Sequence, residues 1–441
     1  MEQTTSSVFP QLYLADIADV DQTRKGKIQR FVTAAISRLQ GFQTGSGGFA
    51  YWPGNPEPDE WGSSYAGHFI IEAEKKGYAL PLNMKKQWLR YQRNTAREWR
   101  YTAGYHNDLA QAYRLYTLAL AGQADLSSMN RLRETAGISN ESKLRLAAAY
   151  ALSEQKGVGQ QLLAQSVLDE TNEYTYYYYG SPERNRAMAL ETLVILGEKE
   201  RAFNLATKLA KQMAGNQWMS TQTTAYCLYS MSKFSQSNGQ KGIDVNYTSN
   251  GKANALKTAK TFADRVLDVA SNNKVTVRNN KQGTLYVKVV YSGVLPVGQE
   301  QAEQRGLGTG IVFKDRAGKV INPSELAQGT EFVAEVSVAN RGGERVENIA
   351  LTQIIPSGWE IVNTRFTDFG SFAENQVDYT DIRDDRTNFY FSLKAQESRT
   401  FRILLNASYA GTYYLPGVQA EAMYDNNYVA RTKGQWVKVT R

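Results

Sequence analysis

Few side chains in this 441-residue chain could do chemistry by themselves: a single cysteine, Cys227, two histidines, His68 and His106, and an acidic group of Asp381, Asp384 and Asp385. A thiolate is a nucleophile and a soft metal ligand, but Cys227 has Ala225 and Leu228 beside it on a helical pattern and reads as a small packed hydrophobe. One thiol excludes an internal disulfide framework, and with two imidazoles it leaves too few ligands for a protein-built zinc site. The three aspartates suggest cation binding but lack the glycine and ligand spacing of a calcium loop, which favours a charged turn. The run "YTYYYYG", Tyr174 to Gly180, reads either as an aromatic binding face or as a loop packed on neighbouring helices. No metal and no cofactor is implied by these residue types.

The chain that must position them changes character along its length. From Gln3 to about Ser235 apolar residues recur at helical spacing, in segments of about 12 to 18 residues separated by short polar or glycine-containing turns. Leu144, Ala147, Ala148 and Ala151 share one helical face, as do Ala187, Leu190 and Val194, and again Ala202, Leu205, Ala206 and Leu209. Ser181, Pro182 and Glu183 supply an N-cap, a proline preset for the first helical position and an acid against the helix dipole. Gly122 is placed to end the helix carrying Leu109, Ala112, Tyr113 and Tyr116 in the left-handed conformation. About ten to twelve antiparallel helices are expected, and their short loops and small inner alanines predict hairpins arranged in a ring or a solenoid.

After Ser235 the composition turns to Ser, Asn, Gly and Lys through Lys252, and the period then becomes alternating. In "TLYVKVVY", Leu285, Val287, Val289 and Tyr291 face one way. Phe332, Ala334, Val336 and Val338 alternate with Val333, Glu335 and Ser337, as half-buried strands do. Further strands are expected at Asn388 to Leu393, Thr400 to Asn406 and Gln435 to Thr440, with turns at Asn340 to Gly343, Pro356 to Gly358 and Asp425 to Asn427. The glycine-rich run from Glu303 to Gly310 reads as a separator between a smaller β-domain and a larger last one. The expected domains are 1–238, 239–303 and 304–441, helical first and β-sandwich last.

Length supports that division, because one hydrophobic core rarely organises so many residues. The formal net charge of +8 could point to an acidic partner, yet Lys and Arg are interrupted by Asp and Glu throughout, so a solvated basic surface is the reading and no nucleic-acid partner is expected. No stretch reaches the roughly 20 apolar residues that span a bilayer, and residues 1–20 lack the order of a signal peptide, so this chain is expected to be soluble.

The opening "MEQTTSSVFPQLYL" resembles bacterial alpha-2-macroglobulins just downstream of their Cys-x-Glu-Gln thioester motif, with Met1, Glu2 and Gln3 matching x-Glu-Gln. "GGFAYWPGNPEPDEWGSSYAGHFIIEA" (Gly47 to Ala73) and "STQTTAYCLYSMSKF" (Ser220 to Phe234) look like the thioester domain's core and last helix. "IIPSGWEIVN" (Ile354 to Asn363), "DDRTNFYF" (Asp384 to Phe391) and "YAGTYYLPGVQAEAMYD" (Tyr409 to Asp425) resemble the final macroglobulin-like sandwich.

The resemblance implies an α/α toroid of helical hairpins, then the later half of a small CUB-like β-domain, then a macroglobulin-like, immunoglobulin-like β-sandwich. It implies that a Cys one residue before Met1, outside this chain, condenses with Gln3 into a thioester, and that Glu2 and Gln3 are the remnant of that site. In this polypeptide alone, Glu2 and Gln3 are expected to be frayed terminal residues. Met423 and Tyr424 match an "AMY" loop that shields the thioester; plain packing at a strand end is the equal alternative. His68 and His106 could steer a thioester toward hydroxyl nucleophiles, or be polar edge residues of their helices. The parent protein would be a single-use trap for target peptidases rather than an enzyme, exported to the periplasm or cell envelope and anchored there as a lipoprotein, with its address upstream of Met1.

Three alternatives share the pattern. "QTGSGGFAYWPG" (Gln43 to Gly54) resembles the repeats of terpene cyclases and protein prenyltransferases, but the helical region lacks the Asp-rich acid of the former and has few ligands for the zinc of the latter. A polysaccharide lyase or hydrolase fits the domain order and would need a catalytic Tyr with His or Arg, or a carboxylate pair. A structural or adaptor member of the same family, without a thioester, is the third.

Overall fold

The computed structural model describes residues 1–102, 107–168, 181–215, 218–237, 242–268, 274–282, 285–291, 293–362 and 377–441. They fall into two compact units, Met1–Val289 and Val290–Arg441, with a hydrophobic core in each.

The first unit begins with the helices α1 (Glu2–Val8), α2 (Leu14–Ile17), α3 (Gln22–Leu39), α4 (Glu60–Lys75), α5 (Met84–Glu98), α6 (Asn107–Leu120), α7 (Leu126–Glu134), α8 (Asn140–Leu152), α9 (Lys156–Ala164), α10 (Pro182–Leu196), α11 (Lys199–Ala214) and α12 (Thr221–Ser237). The helix signals act as their chemistry requires. The Ser181 hydroxyl accepts from the Arg184 amide with Pro182 at the first helical position. Gly122, at φ +69°, lets its own amide and that of Gln123 reach the Ala119 and Leu118 carbonyls, both at 2.9 Å.

Packing then sorts the helices into two layers. In the inner layer α4 contacts α6, α6 contacts α8, α8 contacts α10 and α10 contacts α12, while α12 and α4 both contact α1, so the ring closes. Outer helices pack beside them, α3 on α1, α5 on α4 and α6, α7 on α6, α9 on α8 and α11 on α10. This is the expected toroid. Its amphipathicity differs by layer: α11 buries only Ala202, Leu205, Ala206 and Leu209, whereas α4 buries thirteen consecutive residues from Trp61 to Ala73.

Strands β1 (Ile243–Ser249), β2 (Lys252–Thr258) and β3 (Thr276–Asn279) form a small antiparallel sheet in the order β2-β1-β3. The second unit holds β4 (Glu303–Arg305), β5 (Leu307–Asp315), β6 (Glu325–Ala327), β7 (Glu331–Asn340), β8 (Val346–Ile354), β9 (Trp359–Ile361), β10 (Tyr379–Ile382), β11 (Arg386–Leu393), β12 (Ser398–Ala407), β13 (Gly411–Leu415), β14 (Gln419–Ala422), β15 (Asp425–Arg431) and β16 (Gln435–Thr440). A six-stranded sheet, β10-β11-β8-β14-β15-β4, joins a four-stranded one, β5-β7-β12-β9, through a common core. A three-stranded sheet, β13-β16-β6, contributes Leu415, Val437 and Val439 to it. Alternation supplies the inner faces: Phe332, Ala334, Val336 and Val338 on β7, Phe401, Ile403 and Leu405 on β12, Phe389 and Phe391 on β11.

Three expectations fail. Residues 285–291 are not a strand: Val287, Val289 and Tyr291 are exposed, and nothing among the described residues pairs with their backbone. Alternation alone cannot supply a ladder partner. The run from Glu303 to Gly310 is strand rather than separator, β4 pairing with β15 and β5 with β7. The change of sheet is made at Gly306, whose φ of +63° suits glycine. Asp425 to Asn427 begin β15 instead of forming the turn, which falls two residues earlier.

Candidate functional site

The residues that open the chain are not frayed. Glu2 and Gln3 form the first turn of α1, and neighbouring helical residues point in different directions. Glu2 is 2% exposed. Gln3 faces solvent. The Glu2 carboxylate accepts from the Ser6 hydroxyl at 2.6 Å and from the Thr221 hydroxyl of α12 at 3.1 Å and 3.4 Å. Because Ser6 gives its proton to Glu2, the 2.9 Å contact between Ser6 and Tyr65 has the tyrosine as donor. The site thus offers a solvent-facing amide whose neighbour is tied to the ring behind it.

Behind α1 the centre of the ring is polar and aromatic, filled by side chains from the inner helices. His68, fully buried on α4, lies 3.1 Å from the Tyr113 hydroxyl through Nδ1 and 3.1 Å from the Tyr229 hydroxyl through Nε2. Tyr229 must donate to Glu191, 2.7 Å away, since a carboxylate only accepts. Its oxygen therefore takes the proton of Nε2, and Nδ1 accepts from Tyr113, which in turn accepts from Tyr226. This direction assigns His68 as the neutral Nε2–H tautomer.

Glu191 also accepts from Tyr116 at 2.5 Å and pairs with Arg145 at 2.7 Å, the guanidinium lying 4.1 Å over the Tyr116 ring. Nearby, Arg184 stacks 4.4 Å over Trp61, and both donate to the Gln222 side-chain oxygen. Burial pushes the Glu191 carboxyl up, but Arg145, His68 and the two tyrosine hydroxyls outweigh it and hold the group ionised. Burial lowers Arg184 to about 10, still cationic at neutral pH.

His68 is consequently neither an edge residue nor an exposed activator: burial, with Arg145 and Lys233 acting in the same sense against Glu191 and Glu72, lowers it to about 4. A histidine held neutral in the folded state stabilises fully above its unfolded value of 6.5, and that contribution is lost as pH falls toward 4. Glu72, where Lys233, His68, Lys75 and the Tyr13 hydroxyl overcome burial and lower the carboxyl to about 2, loses its contribution at still lower pH, below 4.5. The helical unit should therefore lose about 3 kcal/mol of unfolding free energy between pH 6.5 and 4 through His68. Urea titrations at several pH values check this. In His68→Gln this part of the loss should disappear and the slope across that window should fall accordingly, and an unchanged slope would refute the assignment.

The remaining sequence-predicted residues are distributed as follows. Cys227 is fully buried, its thiol pushed to about 12 by burial, which suits the packed reading. Asp381, in β10, is paired with Arg383 at 2.8 Å, and Asp385, on the surface bend that follows, with Arg386 at 2.5 Å. Met423 and Tyr424 are the two-residue turn between β14 and β15, in the second unit, where the Met423 amide donates to the Asn348 carbonyl at 3.0 Å. His106 and the run from Tyr174 to Gly180 lie outside the described residues. Ser6, Thr221, Arg145 and Glu191 were missed by sequence reasoning. The signal for the last two was a lone charge inside an apolar run, "LRLAAAYAL" and "AMALETLVIL".

A closed ring of helical hairpins followed by a small sheet and a β-sandwich defines a multidomain protein of α-then-β type. Residues 311–427 match the Bacterial Alpha-2-macroglobulin MG10 domain family. Alpha-2-macroglobulin of Escherichia coli (strain K12) is 23% identical over 473 residues, covering 96% of this chain and 27% of that protein. In fold, the chain is similar over 100% of its length to native Escherichia coli alpha-2-macroglobulin spanning domain MG7 to the C-terminus, at TM-score 0.79 and 20% identity, covering 73% of that structure. Salmonella alpha-2-macroglobulin reacted with methylamine gives TM-score 0.79 at 22% identity, covering 100% of this chain and 30% of that one. Residues 311–427 thus carry a bacterial alpha-2-macroglobulin domain, the chain is similar to bacterial alpha-2-macroglobulins over nearly all of its length, and it spans about a quarter of the length of the curated relatives it matches.

Proposed function

We propose that this chain is the part of a bacterial alpha-2-macroglobulin-type peptidase inhibitor that carries the acyl half of its covalent trap, at Gln3. The observation that carries the reading is the match of 96% of the chain to a protein of that name, and the x-Glu-Gln resemblance of Met1, Glu2 and Gln3 supports the place of the acyl group. In the longer protein a Cys immediately before Met1 forms a thioester with the Gln3 side-chain carbonyl. A peptidase lysine amine attacks that carbon: the C–N bond forms, the C–S bond breaks, the amine sheds a proton and the thiolate leaves. One adduct forms per molecule and nothing turns over, so the protein is not an enzyme.

Exposure of Gln3 beside a buried Glu2 supports this role, since the acyl group must be reachable once the trap is sprung. Met423 and Tyr424, a flexible apolar side chain next to an aromatic at a hairpin tip, suit the part of a shield against water. The parent is assigned to the periplasm or cell envelope, anchored as a lipoprotein. The test is a denaturing gel after incubation with a serine peptidase. The longer protein should give a denaturation-resistant adduct, while its Gln3→Ala variant and the present chain alone should give none. An adduct that survives in Gln3→Ala would refute the assignment of the acyl carbon.

A further inference from the structure

We infer that the groove beside the outer helix α5 docks an acidic, leucine-bearing peptide segment of a protein partner; the inference goes beyond the trap reading and does not depend on it. Along most of the chain Lys and Arg are interrupted by Asp and Glu, but α5 carries Lys85, Lys86, Arg90, Arg93 and Arg97 against one acid, Glu98. Lys86, Arg90, Arg93 and Arg97 follow one another by four, three and four residues, which lines them along one side of the helix. The buried side is fixed by Met84, Trp88, Gln92 and Ala96, with the Trp88 indole donating to the Ser63 carbonyl of α4 at 2.8 Å. The cations are thus displayed on a rigid element.

Like charges at this spacing repel and destabilise a helix, so the stripe calls for counter-charge. The chain itself supplies it at the ends only. Arg97 pairs with Asp125 at 2.8 Å, Lys85 pairs with Glu74, and Arg93 donates to the neutral Gln123 side chain at 2.7 Å. Lys86 and Arg90, both exposed, meet no carboxylate among the described residues. They border a groove of ≈ 880 Å³ whose other wall is the connection from α4 to α5, where Leu80, Pro81 and Leu82 lie, with Leu89 contributed by the helix. Leu82 is 92% exposed. A carboxylate-bearing peptide answers both parts of this surface. Its acids neutralise Lys86 and Arg90, the guanidinium gripping a carboxylate through two parallel hydrogen bonds, and a leucine covers the apolar wall. Nucleic acid would use the cations and leave the leucines wet, and a lipid surface is too flat to fill a groove.

The test is fluorescence anisotropy with the whole chain and a short labelled peptide that carries glutamates around one leucine, at low salt. Lys86→Glu combined with Arg90→Glu should weaken binding about a hundredfold, as two contacts turn repulsive, and Leu82→Ser about tenfold. Lys25→Glu combined with Lys27→Glu, the same charge change at exposed positions of α3, should bind as wild type does. All of these variants alter exposed side chains, so their melting temperatures should match wild type. No binding to the wild-type chain overturns the inference. So does equal weakening by the α3 pair, which would make net charge the cause, or undiminished binding of the peptide with serine in place of leucine. Preference for phosphatidylglycerol vesicles over the peptide would overturn it in favour of a lipid surface. None of these outcomes touches the acyl role of Gln3, which the gel assay tests separately.

Discussion

Replacing Glu191 by Gln is expected to cost the helical unit about 3–5 kcal/mol of unfolding free energy, because it leaves the Arg145 charge buried without its counter-ion. Both partners are nearly inaccessible, at 1% and 2% side-chain exposure, so water cannot take over. The Tyr116 and Tyr229 hydroxyls would at the same time lose a charged acceptor for a neutral one. Urea unfolding followed by helical circular dichroism measures the loss, and a change below about 1 kcal/mol would contradict the network described. The paired variant Arg145→Met with Glu191→Leu should recover most of it, since a buried ion pair exchanged for apolar groups is often neutral in stability. That recovery separates the cost of an orphaned charge from the cost of a disturbed helix.

The second large effect is expected in the sandwich. Phe401 on β12 is fully buried and packs between two rings of the opposite sheet, Phe389 at 4.9 Å and Phe391 at 4.6 Å between centroids. Phe401→Ala removes the side chain that bridges the sheets and leaves a cavity, at a cost of about 3–5 kcal/mol. Because each unit has a core of its own, Phe401→Ala should lower the unfolding transition of the β unit while the helical signal keeps its midpoint, the mirror image of Glu191→Gln. Calorimetry on both variants tests this pairing. A shift of both transitions by either substitution would show that the cores do not unfold independently.

What could be read from residue order was what is locally determined. Ser181-Pro182-Glu183 and Gly122 work within a single helical turn, so their roles are legible without knowing what lies nearby. The alternation in "FVAEVSVAN" is equally local, and β7 forms with the faces it predicts. "TLYVKVVY" has the same alternation and forms no strand, because a strand needs a second backbone and that is decided elsewhere in the chain. The site was legible to the same degree. Glu2 and Gln3 could be marked from their neighbours in sequence, but that Glu2 is buried and accepts from Thr221, 219 residues away, while Gln3 is exposed, is decided by how the helices pack. His68 was misread for a related reason: a polar residue in an apolar helix looks like an edge until its partners on three other helices are known, and Tyr113, Tyr229 and Glu191 supply them.

The most direct test of the central claim uses the longer protein, extended upstream of Met1 and treated with methylamine. Free thiol and intact mass are then measured on the same sample. If Gln3 is the acyl half of a thioester, methylamine should appear as a mass increment on the peptide containing Gln3, with stoichiometric release of thiol from the residue before Met1. Release of no thiol, or methylamine attached at any other position, would contradict it.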